Sequence, residues 1–482
     1  YKANGGKNLW PKPVSTDDHL LAVFNGVKTH ALSNRVVPTF RVSTPPEGTK
    51  VSQEDLLKSM QVISASLAVK YGSVHQSKVW KYWNSGDRPG SPPSSEADQL
   101  FAQAYTEQIR INRKYPDRVV GFFAPQNPVY SKLHRAWQDI QNGPVSPNLP
   151  SRGLVRPGDD YVDTVPLGKF LKSKGFLTEE QFYELDIAYT EPLVTAVKAF
   201  QEGNGLKADG ILGPQTYAQI NRDPRDNLDT IELNLQRARL LPDDMGERYL
   251  IANLPSGKVY GFDGDQLGAE MRVVFGKNTS DRRTPMFRDE IEEVVFRPYW
   301  WIPPSIFKNE VLPRALGNPS YMTRNRYEIV RGWPEGTVMA NTSSNLYKVQ
   351  RKVYNIRQRA GTGNALGLVK FLFPNQHNVY MHDTPTKYLF NSTYRAHSHG
   401  CVRLQHPEEM ANWVLKDRPE WTASRIKSAM YDADKRTPVN LDAPINVYIV
   451  YFTAFPRMDD KPGVNFLKDV YSRDSKLAAA LR

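Results

Sequence analysis

The sequence predicts a multidomain α+β protein, helical through its first half and mostly β in its second. Three observations carry that reading. At 482 residues the chain is too long for one hydrophobic core, so two to four domains are expected. Apolar residues recur at helical spacing through the first 145 or so positions. From Arg248 onward they alternate, or run continuously between Gly, Pro and Asn, which is the pattern of strands.

Residues 1–150 read as a helical scaffold domain. The stretch "SQEDLLKSMQVISASLAVKYG" starts a helix at Ser52 and Asp55, and "SEADQLFAQAYTEQIRINRKYP" stops one before Pro116. Between them "WNSGDRPGSPPSSEAD" is a Pro/Gly/Ser loop, and "NGPVSPNLPSRGLVRPGDD" marks a boundary. Residues 151–222 form a compact unit with a three-helix layout, in which Pro214 sits where a first-turn proline is tolerated. Residues 223–247 read as a helix linking back to the scaffold. Residues 248–456 hold the β domain, with strands in "RYLIANLPSGKVYGFDG", "MRVVFGK", "EEVVFRPYWWIPP", "HNVYMHD" and "INVYIVYF". Inside it, residues 305–353 lack regular strand spacing and read as an inserted lid subdomain. Residues 457–482 are expected to form a helical tail.

Composition narrows the function classes. No run of eighteen apolar residues is present, so no membrane-spanning helix is expected within the chain. The chain opens at Tyr1 rather than a methionine and reads as processed, which puts any export signal or membrane anchor outside it. Sixty-three Lys plus Arg against 51 Asp plus Glu leave a net charge of +12, which favours polyanionic partners. Without zinc-finger spacing, an RNA-recognition signature or a dense basic tract, nucleic acid is not among them.

The chain holds one cysteine, Cys401, within "AHSHGCVR", and five of its nine histidines fall between His377 and His406. A lone cysteine can be a small buried hydrophobe. It can be a metal ligand: on a strand, His397, His399 and Cys401 would share one face, and His382 would complete a four-ligand set. Gly400 suits a turn better than a strand interior, and no glutamate is spaced as in His-Glu-x-x-His, so no metal or other cofactor is expected. The third reading is a nucleophile. Glycine before the thiol permits a sharp turn, and a protonated imidazole would lower the thiol pKa and raise the thiolate fraction.

Two resemblances bear on that choice. Residues Phe200, Gln201, Asn204, Gly205, Leu206, Asp209, Gly210, Gly213, Pro214 and Thr216 follow the pattern of the peptidoglycan-binding domain found beside many cell-wall enzymes. The stretch "YMHDTPTKYLFNSTYRAHSHGCVRLQHPEEMANWVL" resembles the YkuD-type L,D-transpeptidases. Their signature is a His, a gap of about fifteen residues, then Ser/Thr-His-Gly-Cys with an Arg or Asn two positions on. Here it is met by His382, fifteen intervening residues, Ser398, His399, Gly400, Cys401 and Arg403. "RAGTGNALGLVKFLFPN" and "TPMFRDEIEEVVFRPYWWIPPSI" are similar to further family segments, and the domain order resembles the long periplasmic YcbB type of Gram-negative bacteria.

The resemblance implies a mostly-β YkuD-like catalytic domain and a periplasmic location. It implies that Cys401 attacks the diaminopimelate carbonyl of a tetrapeptide stem, expels D-Ala, and passes the stem to another diaminopimelate as a 3–3 cross-link. His382 is expected as general base, His399 as a shaper of the thiol environment, and Tyr380, Gly400 and Cys401 as groups lining the carbonyl and oxyanion. Ser398, with Tyr380 and Arg403, is expected to bind substrate or the oxyanion, and Arg403 fixes either the loop or a carboxylate. Peptidoglycan stems and glycan strands are the expected partners, carbapenem-type inhibitors would acylate the thiol, and other cell-wall synthases are further candidates. Two rivals stay open: an L,D-carboxypeptidase with water as acceptor, and a non-catalytic wall-binding scaffold. Sortases and papain- or NlpC-type peptidases order or space these residues differently.

Overall fold

A computed structural model of the chain describes residues 16–30, 32, 53–71, 95–112, 115–142 and 147–481, apart from 319, 334, 434 and 460–462. Two compact units emerge: residues 1–245 with 451–482, and residues 246–450.

The first unit begins with helices Thr16–Thr29, Gln53–Tyr71, Ser95–Asn112, Pro116–Phe122 and Pro128–Asn142. Glu54 and Asp55 occupy the first turn of the second helix, where carboxylates meet the positive end of the macrodipole. Most of the expected loop over 83–98 lies outside the described residues, and its last four positions open the helix at Ser95. Pro116 starts a helix of its own, where its missing N–H costs nothing. The linking helix Leu228–Ala238 follows a 3₁₀ turn, Pro224–Asn227. Where a purely helical tail was expected, Ala454–Pro456 and Val464–Phe466 pair as an antiparallel hairpin before the helix Asp474–Leu481. These strands of three residues are too short to show a period.

The small domain places helices Thr164–Ser173, Glu191–Gly203 and Pro214–Ile220 around a core of Leu167, Leu171, Val197, Phe200 and Tyr217. It also contains a single turn not expected from the sequence, Glu179–Tyr183, closed by a reciprocal capping box between Thr178 and Gln181. Its motif residues converge on one buried side chain. Gln201 Nε2 donates to Ile211 O at 3.0 Å and Thr216 Oγ1 at 3.1 Å, and its Oε1 accepts from the Gly210 N–H at 2.8 Å. Gly210 holds a φ of +74°, a conformation that L side chains rarely adopt.

The second unit is built on a nine-stranded sheet. Its order is β11 (Ala396–Ser398), β3 (Gln266–Gly276), β12 (Val402–Leu404), β10 (Met381–His382), β9 (Val369–Leu372), β4 (Phe287–Phe296), β13 (Thr437–Val450), β1 (Arg248–Asn253), β2 (Lys258–Asp263). Because β2 also pairs with β3, the sheet closes on itself. Side chains such as Val273, Val294, Phe371, Met381, Val402 and Tyr448 are fully buried.

The inserted region differs from the sequence expectation. It contains strands: β5 (Trp300–Trp301), β6 (Tyr327–Arg331), β7 (Thr337–Met339) and β8 (Asn355–Gln358) form an antiparallel sheet in the order β5-β8-β6-β7. Most of these strands hold four residues or fewer, which hides the alternation. The sheet and its helices share a core of Ile302, Phe307, Leu312, Met322, Ile329, Leu346 and Ile356, which reaches beyond 305–353 at both ends.

Gln201→Leu leaves the Gly210 N–H without its buried partner, while the Thr216 hydroxyl keeps its bond to the Ile211 carbonyl at 3.1 Å, a loss of about 1–3 kcal/mol. Calorimetry of the full chain should show the small domain's transition moved to lower temperature; an unchanged profile rules out the amide as its keystone.

Candidate active site

The site begins with a strand pairing. β10 and β12 run parallel, with Met381 beside Val402 and His382 beside Arg403. Side chains alternate across a strand, so Met381, Val402 and Leu404 enter the core while Tyr380, His382, Cys401 and Arg403 share the other face. On the far side of β10, antiparallel β9 sets Lys370 opposite His382. One row across three strands therefore reads Lys370, His382, Arg403.

The turn between β11 and β12 presents the thiol. Gly400 takes a φ of +128°, where a side chain would be strained although the space around it is open. Ser398 Oγ accepts from the Gly400 N–H at 3.1 Å and donates to the Cys401 carbonyl at 2.6 Å. Thr284 Oγ1 donates to the Gly400 carbonyl at 2.7 Å and accepts from the Gly276 N–H at 2.9 Å. The Gly400 N–H is thus engaged within the turn. Because the chain turns here, His397, His399 and Cys401 do not share a strand face as the metal reading required: His397 bonds the Tyr394 carbonyl at 2.9 Å, and His399 turns to Glu310 at 2.8 Å.

His382 is buried, and its Nδ1 lies against the main-chain carbonyl of Asp383. A carbonyl can only accept, so Nδ1 carries the proton in the neutral ring, which also meets the Leu366 main chain. The Asp383 carboxylate fixes this segment by accepting from the Leu368 N–H at 2.8 Å and the Thr384 N–H at 2.6 Å, with Lys387 Nζ at 2.7 Å. Gly367 is required beside it, since a methyl group there would stand 2.2 Å from Oδ2.

Electrostatics correct one expectation. Burial, then Arg403 and Lys370, lower the His382 pKa to about 3, while burial pushes the Cys401 thiol up to about 11 against the pull of Tyr380, Arg403 and Lys370. The resting pair is a neutral imidazole and a neutral thiol, not an imidazolium that holds a thiolate. Tyr380, half-buried beside the thiol, stays a phenol, desolvation and then Cys401 raising its pKa well above the ordinary value.

Several residues near the thiol carry no signal in the sequence pattern. Glu310 projects from a π-helical turn of the inserted subdomain, Phe307–Val311, to both His399 and Arg282 (2.9 Å). Burial raises its pKa, but His399 and Arg282 outweigh that and hold the carboxyl below its ordinary range. Lys370 and Thr284 lie in the two further segments that resemble the family, but no motif singles either of them out. A charged residue within an otherwise buried strand was the one available clue to Lys370.

Residues 247–440 match the YkuD family, described as "L,D-transpeptidase catalytic domain", and residues 166–220 match the family described as "Putative peptidoglycan binding domain". A curated protein of Haemophilus influenzae, named "Putative L,D-transpeptidase", is 34% identical over 255 residues, covering 52% of this chain and 49% of its own. The chain thus spans about half the length of that relative. Among solved structures, an L,D-transpeptidase from Xylanimonas cellulosilytica aligns over 63% of this chain and 100% of its own, at 14% identity and a TM-score of 0.20.

In the free protein, alkylation of Cys401 by iodoacetamide should speed up about tenfold per pH unit above neutrality, toward a pKa near 11. A rate that levels off below pH 8 would instead reveal a stable thiolate–imidazolium pair.

Proposed function

We propose that this chain, which carries a YkuD-type L,D-transpeptidase catalytic domain and a peptidoglycan-binding domain, forms 3–3 cross-links between diaminopimelate residues through a thioacyl-enzyme. The observation that supports it most is the shared face of β10 and β12, which carries both a neutral imidazole and a neutral thiol, the thiol meeting the Asn378 carbonyl at 3.6 Å.

On this reading the donor is a tetrapeptide stem. Cys401 Sγ attacks the carbonyl carbon of its diaminopimelate as His382 Nε2 takes the thiol proton. Deprotonation coincides with attack, as the high thiol pKa demands. The oxyanion is met by the Cys401 N–H and the Tyr380 hydroxyl, the Gly400 N–H being held by Ser398. On collapse the C–N bond breaks, and His382 returns the proton to the departing D-Ala amine. The side-chain amine of a second diaminopimelate then attacks the thioester, its proton passes to His382, and the thiolate leaves to regain it. Carbapenem-type inhibitors would acylate the same sulfur.

The inserted subdomain acts as the lid, latched to the nucleophile turn by Glu310 through His399 and to the loop after β3 through Arg282. Its work is to keep water from the thioester, so that an amine rather than water resolves it. The long periplasmic YcbB-type organisation, with its cell-wall location, is the setting this implies. Among the described residues no helix is long and apolar enough to cross a membrane.

Mass spectrometry of wild type with a disaccharide-tetrapeptide should show a cross-linked dimer that has lost one D-Ala. Cys401→Ala abolishes it, and His382→Gln slows it by roughly 10²–10⁴-fold. Tripeptide without dimer makes the enzyme a carboxypeptidase; dimer formation that survives Cys401→Ala sinks the mechanism.

Glu310→Ala should raise the ratio of tripeptide to dimer several-fold while the first acylation persists. The same ratio should rise in wild type as pH falls below the depressed Glu310 pKa, since the latch is present above that value and lost beneath it. An unchanged ratio in the variant removes the latch.

A further inference from the structure

Lys370 has no use in the reaction as written. Its ammonium lies in the one row that also holds His382 and Arg403, and its Nζ stands 5.8 Å from the centre of the Tyr380 ring. Among the described residues it forms no ion pair and no hydrogen bond. The charged groups around it are Glu293 on β4, Arg436 at the start of β13, His382 on β10, and Cys401 and Arg403 at β12. Glu293, its only carboxylate neighbour, faces Arg436 at 3.7 Å. Arg403 is under-satisfied as well: one terminal nitrogen donates to Thr386 Oγ1 at 3.2 Å, while its buried Nε has no partner. Two cations thus flank the catalytic imidazole, and neither has a counter-anion of its own. Both side chains are half-buried, and a carboxylate arriving between them would supply the charge they lack.

We propose that Lys370 is a specificity-determining residue which receives a free carboxylate of the donor stem. This rests on the transpeptidase reading, in which the stem bears a carboxylate one residue beyond the scissile carbonyl and another on the diaminopimelate side chain. An ammonium beside the nucleophile is within reach of either. Carboxylate binding supplies the missing counter-charge and orients the donor carbonyl toward Cys401 Sγ.

The surroundings of Lys370 make the contact pH-sensitive. Burial, then Arg436, lower its pKa to about 8, with Glu293 and Cys401 acting the other way. The charged form, and donor binding with it, is present below that value and lost as pH rises through it. His382 is neutral above about 3 and the Cys401 thiol titrates near 11, so neither produces an alkaline loss near 8.

The experiment compares wild type, Lys370→Met and Lys370→Arg on three disaccharide-tetrapeptide donors: the free acid, the terminal carboxamide, and the diaminopimelate side-chain carboxamide. Wild type should lose about tenfold to a hundredfold in kcat/KM, chiefly through KM, on one of the two carboxamides, and that one identifies the carboxylate. Lys370→Met should show the same loss on the free acid and no further loss on that carboxamide. Lys370→Arg should keep the discrimination and move the alkaline limb well above pH 8, a result no folding defect produces. Undiminished discrimination in Lys370→Met, or an alkaline limb that stays put in Lys370→Arg, overturns the inference while the cross-linking function stands. Absence of turnover by wild type on every donor overturns that function, and this inference with it.

Discussion

Everything at the site depends on two residues of parallel pairing. β10 is only Met381–His382 long, and its register against β12 decides which side chains meet. A slip of one residue would send His382 into the core and Met381 to the surface, since side-chain direction alternates with every position. Burial guards against it. Met381, Val402 and Leu404 show no exposure, as do Val273 and Val274 on the neighbouring β3. The face that carries His382 and Cys401 is thus held in register from behind, by hydrophobic packing.

That arrangement also explains why the thiol and imidazole rest neutral. Both sit against a packed sheet, so desolvation disfavours either charge, and the two flanking cations weigh against an imidazolium before substrate arrives. A permanently ionised thiol would meet any passing electrophile or oxidant. A neutral one does not, and on the proposed reading it is activated only as a donor carbonyl arrives, with the His382 ring held by the Asp383 carbonyl. Selectivity then comes from what the pocket admits and how it is aligned, not from raw nucleophilicity.

Sequence legibility followed the length scale of each feature. The long helices, the β1–β2 hairpin and the run of β13 carry many residues in period and were readable. Short features were not: the one-turn helix at Glu179–Tyr183, β7 and the hairpin at 454–466 offer too few positions for a period to register. At the site, His382, His399 and Cys401 were legible because they fall in one motif, and the resemblance implied that His399 shapes the thiol environment. The positive φ of Gly400 turns the chain, and His399 goes instead to Glu310, eighty-nine residues away in sequence. Lys370 escaped notice for a related reason. Its partner in the row is set by antiparallel pairing of β9 with β10, which no local pattern encodes.

The two motifs of this chain therefore report different things. In the small domain, Gln201, Gly210 and Thr216 recur in order because they satisfy one another: a buried amide, the N–H of a left-handed glycine and a hydroxyl at a helix start. The task of these three is complete once the domain is folded. Around Cys401 the division is finer. Ser398 and Gly400 also serve the fold, by holding the turn. His382, Cys401 and Arg403 do less for the turn: the imidazole leans on the Asp383 carbonyl, the thiol is held neutral by burial, and the Arg403 Nε has no partner. Residues that do least for the turn are those whose presence calls for a substrate.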